Sequence, residues 1–280
     1  MQTDIFVFNV GMGQSIFIYP HGSPQYGMMV DCGHQDDFHP INWLVEKGWI
    51  HDNILSNFTL TNYDHDHFSG IINLREKVGI KTVSFASNLT SQEIAKEKPE
   101  HTDHLAHVYH IKDTYTSPAV GYTPPYTKTI FSLEKSDLVK YDTNNLSQIV
   151  FIEHHGTVIC ISGDLEETGW KALLAKEPAV QALLKRTNVF IASHHGRENG
   201  YCADVFTHCA PECVFISDKA IAHETQKDMS SVYANHVSKG VSFNGLPLNP
   251  RKVLTTRSDG HIWLRLTPQG GREYRNLLLA

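Results

Sequence analysis

Three times along this chain an apolar run stops at a short cluster of carboxylates, imidazoles or glycine. Ile54 to Thr61 leads into Asn62-Tyr63-Asp64-His65-Asp66-His67. Ile159-Cys160-Ile161-Ser162 leads into Gly163-Asp164, with Glu166 and Glu167 close behind. Phe190-Ile191-Ala192 leads into Ser193-His194-His195-Gly196. Apolar runs of this length bounded by turn residues predict buried strands. Ionisable groups cannot extend such a strand into a core, because burying an unpaired charge is costly. The endings differ in weight: an Asp after Gly is ordinarily a turn or cap, whereas the run Asp64 to His67 is the strongest local signal, its alternative being a solvated loop that caps the next helix with Asp66 or Ser69. Three of them constrain the fold, because strand ends gathered at one edge of a sheet bring their side chains together. Carboxylate with imidazole is a ligand set for Zn2+, Mn2+ or Fe2+ rather than Ca2+.

The remaining pattern agrees with a strand-rich chain. Strands are predicted at Asp4 to Val10, Ser15 to Tyr19 and Met28 to Asp31, with a turn at Gly11-Met12-Gly13. A helix is predicted over Ile41 to Lys47, and another over 68–78, where Phe68, Ile71, Ile72, Leu74 and Val78 recur at helical spacing. A strand follows at 81–86. The polar stretch 88–127 reads as a loop-and-helix insertion over the surface. Beyond it come a hairpin (148–153 with 157–162), a helix at Trp170 to Leu174, strands at Asn188 to Ala192 and Cys213 to Ile216, a helix near 229–237, and closing strands at 252–256 and 261–266. Meanders first and strand–helix alternation afterwards favour two packed sheets flanked by helices over one doubly wound sheet. With no repeat and no linker, residues 1–280 are expected to form a single domain.

Composition limits the function classes. A hydrophobic fraction of 41% with 19% charged residues suits a soluble globular chain. No window approaches the roughly 20 apolar residues of a membrane span. The first residues lack the basic and apolar regions of a secretion signal, so a cytoplasmic location and no membrane partner are expected. The net charge of −6 argues against a broad basic surface for nucleic acid; a site cation can still attract phosphate locally. Five scattered cysteines predict buried thiols rather than disulfides, and the spacing of Cys202, Cys209 and Cys213 matches no paired zinc pattern. Histidine, at 18 residues, is the unusual count. His101, His104, His107 and His110 drift around a helix and read as a solvated segment; His154-His155 reads as an exposed hairpin turn. Gly11-x-Gly13 lacks the third glycine of a dinucleotide fingerprint. The sequons at Asn57, Asn88 and Asn145 carry no chemistry without secretion. Lys219 and His223 could line a cleft.

Taken in order, the motifs resemble the metallo-β-lactamase superfamily, and most closely the hydrolase domain associated with ComEC-type DNA-uptake proteins. Phe8-Asn-Val-Gly-Met-Gly-Gln-Ser-Ile-Phe-Ile18 resembles the family's opening Asp-Val-Gly-Gln-Gly segment, and Met29-Val-Asp31-Cys-Gly33 its Asp-x-Gly turn. Thr61 to His67 resembles the second motif, Asn144-Asn145-Leu-Ser147 the Asn-x-x-Ser segment, Ile161-Ser-Gly-Asp164 the bridging-aspartate motif, Ser193 to Gly196 the His-His-Gly motif, and Thr256-Arg257-Ser-Asp259-Gly260 the closing hairpin. The resemblance runs from residue 5 to residue 266. It implies an α/β fold, a four-layer αββα sandwich, and a metal-dependent hydrolase that uses a metal-activated water. It assigns metal binding to Asp64, Asp66, His67, Asp164 and His194, support of the metal loop to Asp31, and orientation of the nucleophile to Asp66. His195, next to a ligand, is a candidate general acid or phosphate contact. Arg197 could grip a phosphate oxygen through its fork, or be a plain surface charge.

The chain also departs from the family. Asn62 stands where the second motif opens with histidine, and Asn144 or Asn145 stands where the third-motif histidine is expected. One metal position would then have Asp66, His67 and His194, with Asp164 bridging. The other would have Asp64 and Asp164 with amide oxygens of Asn62 and Asn145. Oxygen-rich ligation shifts preference toward Mn2+ or Mg2+, so one or two divalent ions, Mn2+ or Zn2+, are expected. Three readings stay open: a phosphodiesterase or nuclease-like enzyme acting on a phosphoester or nucleic acid; a carboxylic-ester, lactone or thioester metallohydrolase; and a non-catalytic binding module with a degenerate metal site.

Overall fold

The computed structural model describes residues 1–86, 89–100, 103–117, 120–139, 142–219 and 228–278; Asn88, His101 and His223 lie outside them. Among the described residues, nine strands form one sheet and six form a second. From edge to edge the first runs Leu246–Arg251, Val241–Phe243, Arg272–Asn276, Ile262–Leu266, Thr3–Val7, Ser15–Pro20, Met28–Cys32, Asn57–Leu60, Val83–Phe85. The second runs Val253–Thr255, Cys213–Ile216, Thr187–Ile191, Thr157–Ile161, Ile149–His154, Thr127–Phe131.

Strand alternation sends each strand's side chains to two different places. Ile5, Val7, Ile16, Ile18, Met28 and Val30 of the first sheet share one buried cluster with Val150, Ile152, Ile159, Ile161, Val189 and Ile191 of the second. That shared layer is the core between the sheets, and each fully buried aliphatic side chain in it contributes roughly 1.5–3 kcal/mol. The alternate residues face outward, against helices. Phe6 and Phe8 meet Trp43 edge-on, in helix α1 (Pro40–Glu46), on one side. Phe190 packs on Trp170, in a helix at Glu167–Lys176, on the other. Helix, sheet, sheet and helix are the four layers expected from the sequence.

The expected helix over 68–78 is two pieces, α2 (His65–Phe68) and α3 (Ile71–Lys77). Gly70 separates them: its N–H donates to Cys32 O at 2.8 Å, and a Cβ there would lie 2.4 Å from that oxygen. The strand expected over 54–61 is likewise broken at Ser56, whose N–H and hydroxyl both donate to Gly27 O at 2.9 Å. The polar stretch 88–127 holds α4 (Ser91–Glu97) and α5 (Asp103–Thr114). A capping box starts α4: Thr90 Oγ1 accepts from Glu93 N at 3.2 Å while the Glu93 carboxylate accepts from Thr90 N at 2.9 Å. Leu105, Val108 and Ile111 of α5 are buried, so this stretch is packed rather than draped over the surface. Sequence patterning did not anticipate the strands at Thr127–Phe131, Val241–Phe243, Leu246–Arg251 and Arg272–Asn276 or the helix at Pro178–Leu184. The five cysteines are free and buried. Among the described residues, no helix is long and apolar enough to cross a membrane.

Candidate metal centre

In the first sheet Met28–Cys32 and Asn57–Leu60 run parallel; in the second, Thr157–Ile161, Thr187–Ile191 and Cys213–Ile216 do so. Parallel strands put their carboxyl ends at one edge, where the loops leave a crevice. Asp31, the segment Thr61 to His67, Asp164, His194-His195 and Ser217 all lie at or just beyond those ends. Four of these side chains, Asp66, His67, Asp164 and His195, have ligand atoms within 4.8 Å of one another. His67, Asp164 and His195 are 0%, 2% and 4% exposed, whereas Asp66 is 31% exposed and forms the open side.

Both imidazoles are anchored by Nδ1. His67 Nδ1 bonds Asp31 Oδ2 at 2.7 Å, and His195 Nδ1 bonds Ser217 O at 3.0 Å. An acceptor at Nδ1 fixes the proton there and leaves the Nε2 lone pair pointing inward. His67 Nε2, Asp164 Oδ1 and His195 Nε2 are buried without a hydrogen-bond partner, although His67 Nε2 and Asp164 Oδ1 lie 3.0 Å apart. Buried polar atoms are rarely left so. Three of them converging beside a carboxylate fit a divalent cation.

The charges favour a positive charge at the same point. Burial would raise the Asp164 carboxyl, but His67 and His195 hold it well below the usual carboxylate range. Burial likewise pushes Asp66 up, and the neighbouring His195 and His67 bring it below its ordinary value. Burial would lower His67, yet Asp164 and Asp31 raise it well above 6.5. A cation is therefore favoured where these carboxylates meet.

The backbone is shaped to permit this convergence. Asp31, His194, His195 and Gly196 have φ of 54°, 49°, 55° and 69°, a left-handed conformation that L residues adopt at a cost. The Asp66 carbonyl accepts from Gln14 N at 3.2 Å, and a Cβ on Gly33 would stand 2.3 Å from that carbonyl oxygen. Asp31 takes four hydrogen bonds: Oδ1 from Thr61 N, and Oδ2 from Gln14 Nε2, Thr61 Oγ1 and His67 Nδ1.

The other residues singled out from sequence have different surroundings. His194, expected as the ligand, is outside the group of four, and His195 stands in it. His194 Nε2 accepts from Arg197 Nη1 at 3.1 Å, while its Nδ1 faces Glu166 Oε1 at 3.3 Å. The structure thus brings His195 into the group of four, its ring held by Ser217 O, and leaves His194 beside Arg197 and Glu166 with its own Nδ1 also buried without a hydrogen bond. Asp64, also expected as a ligand, is ion-paired to Lys98. Asn62 donates to Asn144 Oδ1 at 3.0 Å and to Ser147 Oγ at 3.1 Å. Asn145 donates to Asp142 and accepts from Gly169 N at 2.8 Å, at the start of the helix Glu167–Lys176. Neither amide points into the group of four.

Patterning alone missed Thr61, Gln14, Ser217 and Lys98. Ser217 had a signal, since it directly follows the apolar strand Cys213–Ile216. The closing motif holds that corner: Thr256 Oγ1 accepts from Asp218 N at 2.9 Å, and Arg257 pairs with Asp218 at 3.2 Å and Asp228 at 2.8 Å. His104 meets His65 edge-on, and His107 accepts from Arg75, so neither is merely solvated.

No protein-family model matches the chain, and no characterised protein matches it in sequence. Solved structures do match. The metallo-beta-lactamase fold protein YhfI from Bacillus subtilis has a TM-score of 0.52 at 10% identity, over 94% of this chain and 99% of that one. A diphosphatase from the PhnP family has a TM-score of 0.50 at 11% identity, over 95% of this chain and 98% of that one. At such identities the likeness concerns architecture, and with the layers described above it establishes that this chain has the metallo-β-lactamase fold.

Proposed function

We propose that the protein is a metal-dependent hydrolase acting on phosphoesters, most simply phosphodiesters, with Asp66, His67, Asp164 and His195 as its metal ligands. One observation carries this reading: His67 and His195 are each fixed by Nδ1 so that buried, unbonded Nε2 atoms face the unbonded Asp164 oxygen. Two nitrogens and two carboxylates suit Mn2+ or Zn2+. Such an ion, when bound, supplies Lewis acidity and lowers the pKa of a water toward neutrality.

The chain's own groups supply the rest. Asp66, the exposed member of the four, is placed to accept a proton from an attacking water and to orient it. Asp31 and Ser217 hold the rings, so ligand geometry needs no rearrangement when substrate arrives. Arg197 uses Nη1 on His194 and sits against Met12 Sδ at 3.7 Å; its remaining donors can grip a phosphate oxygen. His194, bracketed by Arg197 and Glu166, positions that guanidinium. The motif order resembling ComEC-type hydrolase domains, and the description of one structural relative as a diphosphatase, agree with a phosphoester substrate.

The test compares bis(p-nitrophenyl) phosphate with p-nitrophenyl acetate on protein reconstituted with Mn2+ or Zn2+. Chelator-sensitive cleavage of the phosphodiester, absent in Asp164→Ala, is the expected result. Turnover of the acetate alone would assign the site to carboxylic esters, and no metal-dependent turnover of either would leave a binding module.

A further inference from the structure

The half of the site that the sequence assigned to a second ion is occupied by the protein itself. Asn62 Oδ1 accepts from Asp64 N at 2.9 Å, and Asn145 Oδ1 accepts from Gly169 N at 2.8 Å, so both amide oxygens expected to face a metal already serve backbone N–H groups. The Asp64 carboxylate is paired with the Lys98 ammonium. Lys98 is the residue that closes α4, its N–H donating to Ile94 O at 2.8 Å, so the polar insertion delivers this cation. The pair is close to the four ligands through a short chain of hydrogen bonds. Asp64 N bonds Asn62, Asn62 bonds Ser147 Oγ at 3.1 Å, and Ser147 Oγ accepts from Asp164 N at 3.2 Å.

We propose that Lys98 stands in for a second metal ion: the protein binds one divalent ion, and the Lys98 ammonium supplies the adjacent positive charge that contacts a phosphate oxygen of the substrate. This rests on the metallohydrolase reading above. A divalent ion at Asp64 would have to displace an ammonium from the carboxylate that this half-site does not share with the other, and pull two amides from their bonds. An ammonium needs neither change. It has three donors, of which Asp64 engages one, and its flexible stem lets it follow a phosphate through the reaction. At 27% exposure Lys98 is within reach of a ligand. It lines a cavity of about 270 Å³ with Asp64, Glu100, Tyr63, Phe68 and Leu105; the apolar residues suit the organic part of a phosphoester, and Lys98 is the cation set between the two carboxylates.

Titration of metal-stripped full-length protein with Mn2+, followed by inorganic phosphate, tests this. The expected result is one equivalent of Mn2+ in the native sequence, in Asp64→Asn and in Lys98→Met. Phosphate affinity of the Mn2+-loaded protein should fall about tenfold in Lys98→Met, the worth of one charge-assisted hydrogen bond, and stay within about threefold in Lys98→Arg. Two equivalents in the native sequence, with one lost in Asp64→Asn, would overturn the proposal while leaving the metallohydrolase reading intact. Undiminished phosphate affinity in Lys98→Met would overturn it too. No Mn2+ bound by the native sequence would refute the metallohydrolase reading itself, and this inference with it.

Discussion

Replacing Asp31 by asparagine changes one atom's chemistry at the point on which the His67 orientation depends. The Oδ1 position survives as an amide oxygen and keeps the 2.7 Å bond from Thr61 N. The Oδ2 position becomes an NH2 facing Gln14 Nε2 at 2.7 Å, Thr61 Oγ1 at 2.5 Å and His67 Nδ1 at 2.7 Å. Gln14 can flip its amide and Thr61 can turn its hydroxyl, but His67 can accept only by moving its proton from Nδ1 to Nε2. That transfer removes the lone pair that would hold the ion. Loss of such a supporting partner typically costs 10–100-fold in metal affinity, so the dissociation constant for Mn2+ should rise by about that factor. A buried acceptor lost among donors should also destabilise the metal-free protein by about 1–3 kcal/mol. The backbone adds little, because Asn tolerates the φ of 54° at this position, whereas Ala would add its own strain. Calorimetric titration with Mn2+ and urea unfolding of the metal-free variant measure the two effects. An Mn2+ affinity within threefold of the native value would refute the tautomer reasoning.

The two histidines of the Ser-His-His-Gly segment should separate cleanly. His195→Ala should retain no Mn2+ after desalting, and His194→Ala should retain its full equivalent; elemental analysis with the opposite outcome would show that the pair had been assigned in the wrong order. Gly33→Ala should lower the urea midpoint by the equivalent of about 1–3 kcal/mol and weaken Mn2+ binding, because the new Cβ would press 2.3 Å from Asp66 O, with Gln14 O at 2.9 Å leaving no escape; an unchanged midpoint would contradict the close approach. Lys128 bonds Asn57 Oδ1 at 2.9 Å and Ser84 Oγ at 3.0 Å, and burial pushes its ammonium down to about 8 from 10.5. The unfolded chain therefore binds more protons between those values, so stability should rise as pH goes from about 8 to 10.5, by up to about 3 kcal/mol before solvent screening. Lys128→Met should abolish that rise in urea unfolding at pH 8 and 10, and a flat native profile would refute it.

The layers were legible because the two periods of burial sit in the strands themselves. Ile5 and Val7 against Phe6 and Phe8, or Ile159 and Ile161 against Val158 and Cys160, are apolar on both faces, as strands between a helix layer and a second sheet must be. Strands toward the margins of the sheets lack that signature. Arg272–Asn276 turns only Tyr274 into the core, and Thr127–Phe131 has no fully buried residue, so neither separates from a loop by hydrophobic pattern. Breaks inside an element were hidden for another reason. Gly70 interrupts a helix because Cys32 O approaches its backbone, a contact 38 residues away in sequence that no local window contains.

The site was legible as a set of strand endings and illegible in its pairings. That Asp66, His67 and Asp164 converge follows from where strands end, which the apolar runs mark. Which of His194 and His195 joins them depends on torsions: three left-handed residues in succession, 194 to 196, rotate the side chains by an amount no spacing rule encodes. The choice is then fixed from outside the segment, by Ser217 O taking one Nδ1 and by Arg197 donating to the other ring's Nε2. Asp64 shows the same limit from the opposite side. Its position in the motif is that of a ligand, but a carboxylate at the mouth of a crevice takes whichever cation the fold brings nearest. The cation here comes from α4, an element whose polar sequence reads as surface and whose Lys98 nothing in the sequence ties to Asp64. A motif therefore specifies a ligand only when the partner is also specified. Here an ammonium arrives from an insertion, and the aspartate at the strand end pairs with that lysine.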